Sequence, residues 1–160
     1  MIRMGILTAS TLGARGERED TSGQAIRELV APLGSEVVVY RVVTDDLDLI
    51  ATALQSWCDE LHLDMILTTG GTGLSPTDVT PEATRRVVER EVPGLAEAMR
   101  QEGLKHTPRA MLSRGMAGVR GRTLIVNLPG SPKGVRESLG AIADVLPHAI
   151  EILQRRPTDH

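Results

Sequence analysis

Short apolar runs alternate with segments whose apolar residues recur every three or four positions, along almost the whole chain. Met4 to Ala9 (MGILTA) is the first run and predicts a strand. Ser10 to Asp20 is polar, contains two glycines and predicts a loop. Ser22 is expected to cap a helix over residues 23–33, stopped by Gly34. Glu36 to Val43 (EVVVYRVV) is rich in β-branched residues and predicts the second strand. Asp45 or Asp46 then caps a helix whose apolar positions, Leu47, Ile50, Leu54, Trp57, Cys58 and Leu61, share one face. Asp64 to Thr69 (DMILTT) predicts strand three, and Gly70 to Val79 a glycine-rich loop. Thr80 is expected to cap a helix beginning at Pro81, and Pro93 to start another that runs to Lys105. Met116–Arg120 and Arg122–Leu128 flank Gly121 as a hairpin. Pro129 to Gly134 is a second turn-rich loop, and Ser138 to Leu153 is helical with a break or kink at Pro147. Strand and helix alternate as in a layered α/β domain over residues 1–153, followed by a polar tail, residues 154–160.

Composition narrows the functions open to such a domain. The 160 residues, 41% hydrophobic and 24% charged, have the size and balance of one globular unit. A net charge of −3 argues against a nucleic-acid binder whose affinity rests on neutralising phosphates. One Trp, one Tyr and no Phe leave no platform for stacking bases, so the core is built from Leu, Ile, Val, Ala and Met. Cys58 is the single cysteine, which excludes a disulfide within the chain and a thiolate zinc site. His62, His106, His148 and His160 have no short metal-ligand spacing. No apolar run reaches the roughly 20 residues of a membrane span. Met1 to Ala9 soon meets charge and reads as a strand rather than a signal peptide, so the expected location is the cytoplasm.

Two loops share one design. Strand three runs into Gly70-Gly71-Thr72-Gly73, and the strand at Thr123–Leu128 runs into Pro129-Gly130-Ser131-Pro132-Lys133-Gly134. In open parallel sheets ligands sit at the carboxyl ends of strands. Glycines there let backbone N–H groups approach a phosphate, and Thr72, Ser131 and Lys133 add donors. The two loops are candidates for an anion cradle or simply for tight turns, because neither matches a P-loop or a dinucleotide fingerprint. Asp20, Asp45, Asp46 and Asp78 all follow strands and can converge on one sheet edge. A magnesium–nucleotide site needs only one or two carboxylates beside phosphate oxygens, whereas an Asp before a helix also serves as a cap. Cys58 belongs with the core. Arg109, Arg114, Arg120 and Arg122 form a basic run that either binds phosphate or makes a solvated face. Arg85, Arg86 and Arg90 are expected on an exposed helix face, paired with nearby Glu.

Residues 68–84, TTGGTGLSPTDVTPEAT, resemble the signature of the molybdenum-cofactor biosynthesis family that includes MogA, MoaB and the G domains of gephyrin-type proteins. Asp20-Thr21-Ser22-Gly23 resembles its early D-x-S-G segment, and Val43-Thr44-Asp45-Asp46 the segment after its second strand. Asn127-Leu128-Pro129-Gly130-Ser131-Pro132-Lys133 resembles its N-L/M-P-G-x-P loop. The four stretches stand in the family's order and span nearly the whole chain. The resemblance implies a three-layer α/β/α sandwich with a mostly parallel central sheet, assembled as a homotrimer or in some members a hexamer. It implies magnesium-dependent adenylylation of molybdopterin by ATP, giving adenylyl-molybdopterin and pyrophosphate, and a separate molybdate-insertion protein as partner. By the same resemblance Asp45 and Asp78 are the required acids, with Asp78 holding magnesium and Asp45 positioning the pterin phosphate or the metal. Gly70, Gly71, Thr72 and Gly73 are implied to hold nucleotide phosphates. Pro129, Gly130, Ser131, Pro132 and Lys133 are implied to form the second wall, and Ser22 and Gly23 part of the substrate pocket. One position departs: many members carry Ser-Asp after the first strand, where this chain has Ser10-Thr11.

Three other functions fit the same motifs. The domain can bind the cofactor without transferring the adenylyl group, or hydrolyse nucleotide pyrophosphate bonds as competence-damage-type relatives do. It can also act as a trimer that presents surfaces to other proteins.

Overall fold

The computed structural model describes residues 1–155 of the chain, so most of the expected polar tail lies outside the described residues. Its strands are β1 (Ile2–Ala9), β2 (Ser35–Val43), β3 (Met65–Thr69), β4 (Arg90–Glu91), β5 (Ala117–Arg120) and β6 (Thr123–Leu128). Its helices are α1 (Thr11–Ala14), α2 (Thr21–Val30), α3 (Leu47–Asp59), α4 (Thr80–Val87), α5 (Pro93–Leu104), α6 (Pro132–Ile142) and α7 (Leu146–Gln154). The six strands form one sheet in the order β2-β1-β3-β6-β5-β4. The pairs β2–β1, β1–β3 and β3–β6 are parallel, and β5 runs against both of its neighbours.

The apolar runs are continuous because both faces of the central strands are covered. Along β1, Met4 and Ile6 pack into a core shared with α2, α5, α6 and α7. Leu7 and Ala9, one pleat away, pack into a second core under α3 and α4, around Trp57 and Cys58. Met65 and Leu67 face the first core, and Ile66 between them the second. This is the three-layer α/β/α sandwich with a mostly parallel sheet. Cys58 is buried, and loss of hydration pushes its thiol up to about 11, as befits a core residue.

Several boundaries differ from those expected, each for a local reason. Asp20, not Ser22, caps α2: its carboxylate accepts from Gly23 N at 3.0 Å, while Ser22 is buried in the first turn. The polar stretch after β1 is not wholly loop, because Ser10 accepts from Gly13 N and starts the single turn of α1. Thr80 is the first residue of α4 rather than its cap; Val79 holds the cap position with no side-chain bond. The last helical region starts at Pro132, six residues before the expected Ser138. Ser131 accepts from Gly134 N, and Pro132 supplies the fixed φ of a first turn. A 3₁₀ turn at Ala143–Val145 and Pro147 in the first turn of α7 account for the break. A second 3₁₀ turn, Pro108–Leu112, and the two-residue β4 have no clear apolar period. The Gly121 hairpin forms as expected, with Gly121 at φ 58°.

Two side-chain networks tie the layers together just below the parallel strand ends. Buried Asn127 on β6 donates to Thr68 Oγ1 at 3.0 Å and Thr84 Oγ1 at 2.9 Å, and accepts from Met116 N at 3.2 Å. Asp20 joins α2 to β1 and β2, taking the Thr8 hydroxyl at 2.7 Å and the Tyr40 hydroxyl on the same oxygen. Burial, then the Asp20 carboxylate, holds the Tyr40 phenol far above its ordinary value of 10.0.

Two measurements check this packing. A Cβ on Gly5 would lie 2.8 Å from Trp57 Cε3 and 2.9 Å from Leu63 Cδ1. Gly5→Ala is therefore expected to destabilise the protein by about 1–3 kcal/mol in denaturant titrations, and an unchanged midpoint would refute the contact. Tyr40 is the chain's one tyrosine, so ultraviolet absorbance of tyrosinate reports it alone. The folded phenol stays protonated where the unfolded phenol has ionised, so stability falls as pH rises above about 10. Tyrosinate is expected to appear only with unfolding, and Tyr40→Phe to flatten the alkaline fall; ordinary titration of the folded protein would refute the network.

Candidate active site

The helices change sides of the sheet between β1 and β3: α2, after β1, packs on one face and α3, before β3, on the other. That is the switch point at which the strand ends of an open α/β sheet leave a crevice. Gly70 leaves β3 at φ 90°, and a Cβ there would lie 2.3 Å from the carbonyl oxygen of Ala9. Gly71 follows at φ 69°, and a Cβ there would lie 2.3 Å from Thr80 Oγ1. That hydroxyl is buried and has no hydrogen-bond partner among the described residues. Across the crevice a Cβ on Gly130 would lie 3.2 Å from Gly70 Cα, so the two glycine loops pack backbone against backbone. Thr69 Oγ1 fastens them by donating to Pro129 O at 2.5 Å.

In front of the stacked loops lies a polar cavity of about 330 Å³. Asp45, Asp78, Ser22, Gly70, Gly71 and Gly130 all line it, with Ser10, Thr11 and Asp20 completing its rim. The four sequence-flagged acids take different parts. Asp46 is spent as the cap of α3, accepting from Leu49 N at 3.0 Å. Asp20 has both oxygens engaged by Thr8, Tyr40, Ser22 and Gly23. Asp45 accepts from Thr11 N at 3.1 Å and Thr11 Oγ1 at 3.0 Å, both on Oδ2. Asp78 accepts from Ser75 N at 3.1 Å, also on Oδ2. Among the described residues Asp45 and Asp78 thus each keep Oδ1 without a protein donor. Thr11, at the position that departs from the family pattern, is the residue that sequence reading left without a role.

The remaining expected residues divide between the cavity and its surroundings. Gly23 sits behind it, its N–H given to Asp20, and Pro132 opens α6. Thr72 is buried, and its carbonyl accepts from Arg114 N at 2.8 Å. Gly73, Pro129, Ser131 and Lys133 line a second, larger cavity of about 500 Å³ on the other side of the loops. Its walls also include Leu74, Met99, Gly103, His106 and Leu112. Lys133 extends from it, 81% exposed, with Nζ 4.0 Å from Glu137. The sequence did not mark this cavity, although Ala96, Met99 and Gly103 repeat on one face of α5.

The basic run divides: Arg109 and Arg122 are exposed, while Arg120 and Arg114 are paired. Arg120 forks onto Asp59 at 3.0 and 2.8 Å, and Arg114 onto Glu82 at 2.7 and 3.2 Å. Arg85 pairs with Glu91 as expected, but Arg86 pairs with Asp48 at 2.7 Å rather than a Glu, and Arg90 lies on β4 rather than a helix. Among the described residues no cluster of three or more His, Cys, Asp or Glu is arranged to enclose a metal, and no helix is long and apolar enough to cross a membrane.

Known proteins share the fold and much of the sequence. Residues 5–148 match the sequence profile of the family described as "Probable molybdopterin binding domain". The molybdopterin adenylyltransferase of Helicobacter pylori strain J99 is 43% identical over 154 residues, 95% of this chain and 88% of that protein. The molybdopterin biosynthesis enzyme MoaB from Thermus thermophilus is similar with a TM-score of 0.92 and 59% identity, covering 98% of this chain and 99% of that one. The tungsten cofactor synthesizing protein MoaB from Pyrococcus furiosus is similar at 0.87 and 31%, covering 97% and 98%. Profile, identity and fold agree over nearly the full length, and the chain is a member of the MogA/MoaB molybdopterin-binding family.

Proposed function

We propose that the protein is a molybdopterin adenylyltransferase, and that its reaction takes place in the polar cavity at the β1/β3 strand ends. The observation that carries the assignment is that Asp45 and Asp78 face one glycine-floored cavity, each anchored through one oxygen with the other left open. The terminal phosphate of molybdopterin attacks the α-phosphorus of ATP; the new P–O bond forms as the bond to pyrophosphate breaks. The attacking phosphate is largely ionised at neutral pH, its second pKa being about 6, so no strong base is required. The difficulty is bringing two anions together, and catalysis is positioning plus charge compensation. The chain's part is to hold both phosphates against the backbone of Gly70, Gly71 and Gly130, where no side chain intervenes. Ser22 lies on the same wall, its hydroxyl donating to Asp20 Oδ1 at 3.4 Å.

Two open carboxylate oxygens beside a phosphate cradle suit magnesium, which keeps several non-protein ligands and takes one or two carboxylates. Asp78, and second to it Asp45, would hold the ion, which would supply charge neutralisation for the phosphates. Gly73, Ser131 and Lys133 line the larger cavity on the other side of the loops. A homo-oligomer, a trimer in the first instance, is part of the proposal, and Leu74 and Met111, 64% and 66% exposed, are apolar side chains that such an assembly could cover. A separate molybdate-insertion protein is the proposed recipient of the product, and the cytoplasm the proposed location.

The test is incubation of the purified protein with molybdopterin, ATP and magnesium, followed by mass spectrometry for adenylyl-molybdopterin. The parent is expected to form the product, and Asp78→Asn to lose about 100-fold or more of the rate with molybdopterin still bound. Asp45→Asn is expected to fall in the same direction. Pterin binding without product would overturn the enzyme assignment in favour of a binding module. AMP release without any pterin would point to pyrophosphate-bond hydrolysis instead.

A further inference from the structure

Arg114 grips the Asp78 loop at both of its ends, yet it does not line the polar cavity. Its backbone N–H donates to Thr72 O at 2.8 Å. Its Nε donates to Gly73 O at 2.7 Å, and its Nη2 to Asp78 O at 2.7 Å. Nη1 and Nη2 together hold the Glu82 carboxylate, in the first turn of α4, at 2.7 and 3.2 Å. One guanidinium therefore spans both ends of the loop and the start of the helix that follows it. Arg114 is itself held, because Arg100 on α5 donates to the carbonyls on either side of it, Ser113 O at 3.3 Å and Gly115 O at 2.8 Å.

The loop is built to need such a strap. It contains three residues, Ser75, Thr77 and Asp78, whose polar groups bond mainly to one another. Asp78 N donates to Ser75 O at 2.9 Å, and the Asp78 carboxylate turns back to Ser75 N. That carboxylate passes so close to Gly73 that a Cβ there would lie 2.9 Å from Oδ2. The direction of Asp78 thus depends on the separation of Gly73 from Asp78, and Arg114 bonds the carbonyls of those two residues. The planar fork matters: a lysine ammonium carries the charge but cannot reach two carbonyls and a carboxylate in fixed directions.

We propose that Arg114 is a positioning residue that fixes the 73–78 loop so that the Asp78 carboxylate faces the polar cavity. The proposal rests on the adenylyl-transfer assignment for its kinetic consequence and on the loop geometry alone for its structural one. Glu82 orients the guanidinium and has a lesser part in the same device.

The experiment compares the parent with Arg114→Gln, Arg114→Lys and Glu82→Gln by two readouts. In hydrogen exchange, Ser75, Asp78 and Thr80 amides are protected in the parent by bonds that close the loop. Arg114→Gln is expected to speed exchange across residues 72–80 while β1, β3 and β6 stay as protected as in the parent. Unchanged exchange in the loop would overturn the proposal, as would loss of protection across the whole sheet, which would make Arg114 a general stability residue. In steady-state assays, Arg114→Gln is expected to lower kcat about 10- to 100-fold, to leave KM for molybdopterin nearly unchanged and to raise the magnesium concentration needed for half the maximal rate. Arg114→Lys should recover little of the loss, and Glu82→Gln should lose less than either. Full recovery with lysine would show that charge alone suffices and overturn the strap. A parent without adenylyl transfer would sink the functional assignment, and hydrogen exchange would still decide whether Arg114 holds the loop.

Discussion

The carbonyl oxygen of Ala9 occupies the space that a side chain on residue 70 would need. That constraint comes from the sheet. Parallel pairing sets Thr8 beside Thr69, so the chain leaving β3 must cross the end of β1 almost at contact distance. Only glycine makes the crossing without displacing backbone, and it does so in the left-handed region. Gly130 then rests on Gly70, Thr69 ties the second loop to the first, and the cavity opens where the two stacked turns face α1 and α2. A flat, side-chain-free wall of peptide is the outcome, and it suits the close approach of phosphate.

Four acids reach this edge, and what separates them is how many of their lone pairs the protein itself consumes. A carboxylate has about four acceptor positions. Asp20 gives its positions to three hydroxyls and an amide from β1, β2 and α2, and becomes part of the scaffold. Asp46 caps α3. Asp45 and Asp78 are each pinned on Oδ2, enough to fix a rotamer while Oδ1 stays available. Local saturation, rather than the chain's net charge of −3, decides which acids can meet a cation.

The central strands were legible because burial on both faces turns each into a continuous apolar run, as in DMILTT, and the half-exposed edge strand EVVVYRVV was legible through its β-branched residues. Loop–strand order carried the sheet edge, and the motifs carried the family. What failed were choices between chemically equivalent neighbours. Asp20 and Ser22 are both good caps, and only the hydroxyls of Thr8 and Tyr40 show why the aspartate is preferred. Ser131-Pro132 signals a helix start, but Gly134 inside the first turn disguises it. The roles of Arg114 and Arg120 were hidden because their partners lie 32 to 61 residues away in sequence. The larger cavity was hidden because it is bounded by one face of α5 and two loops that no local pattern links.

Thr11 carries the last consequence. Thr11 is the partner of Asp45, and a carboxylate in its place would repel Asp45 unless a cation lay between them. Here a hydroxyl and an amide donate to Asp45 Oδ2 instead, and Asp45 N returns a bond to the same hydroxyl at 3.1 Å. The two donors fix the direction of the carboxylate without any metal. A neutral residue at this position also adds no negative charge to a rim that already carries Asp20, Asp45 and Asp78. Thr11 therefore makes the geometry of Asp45 a property of the fold.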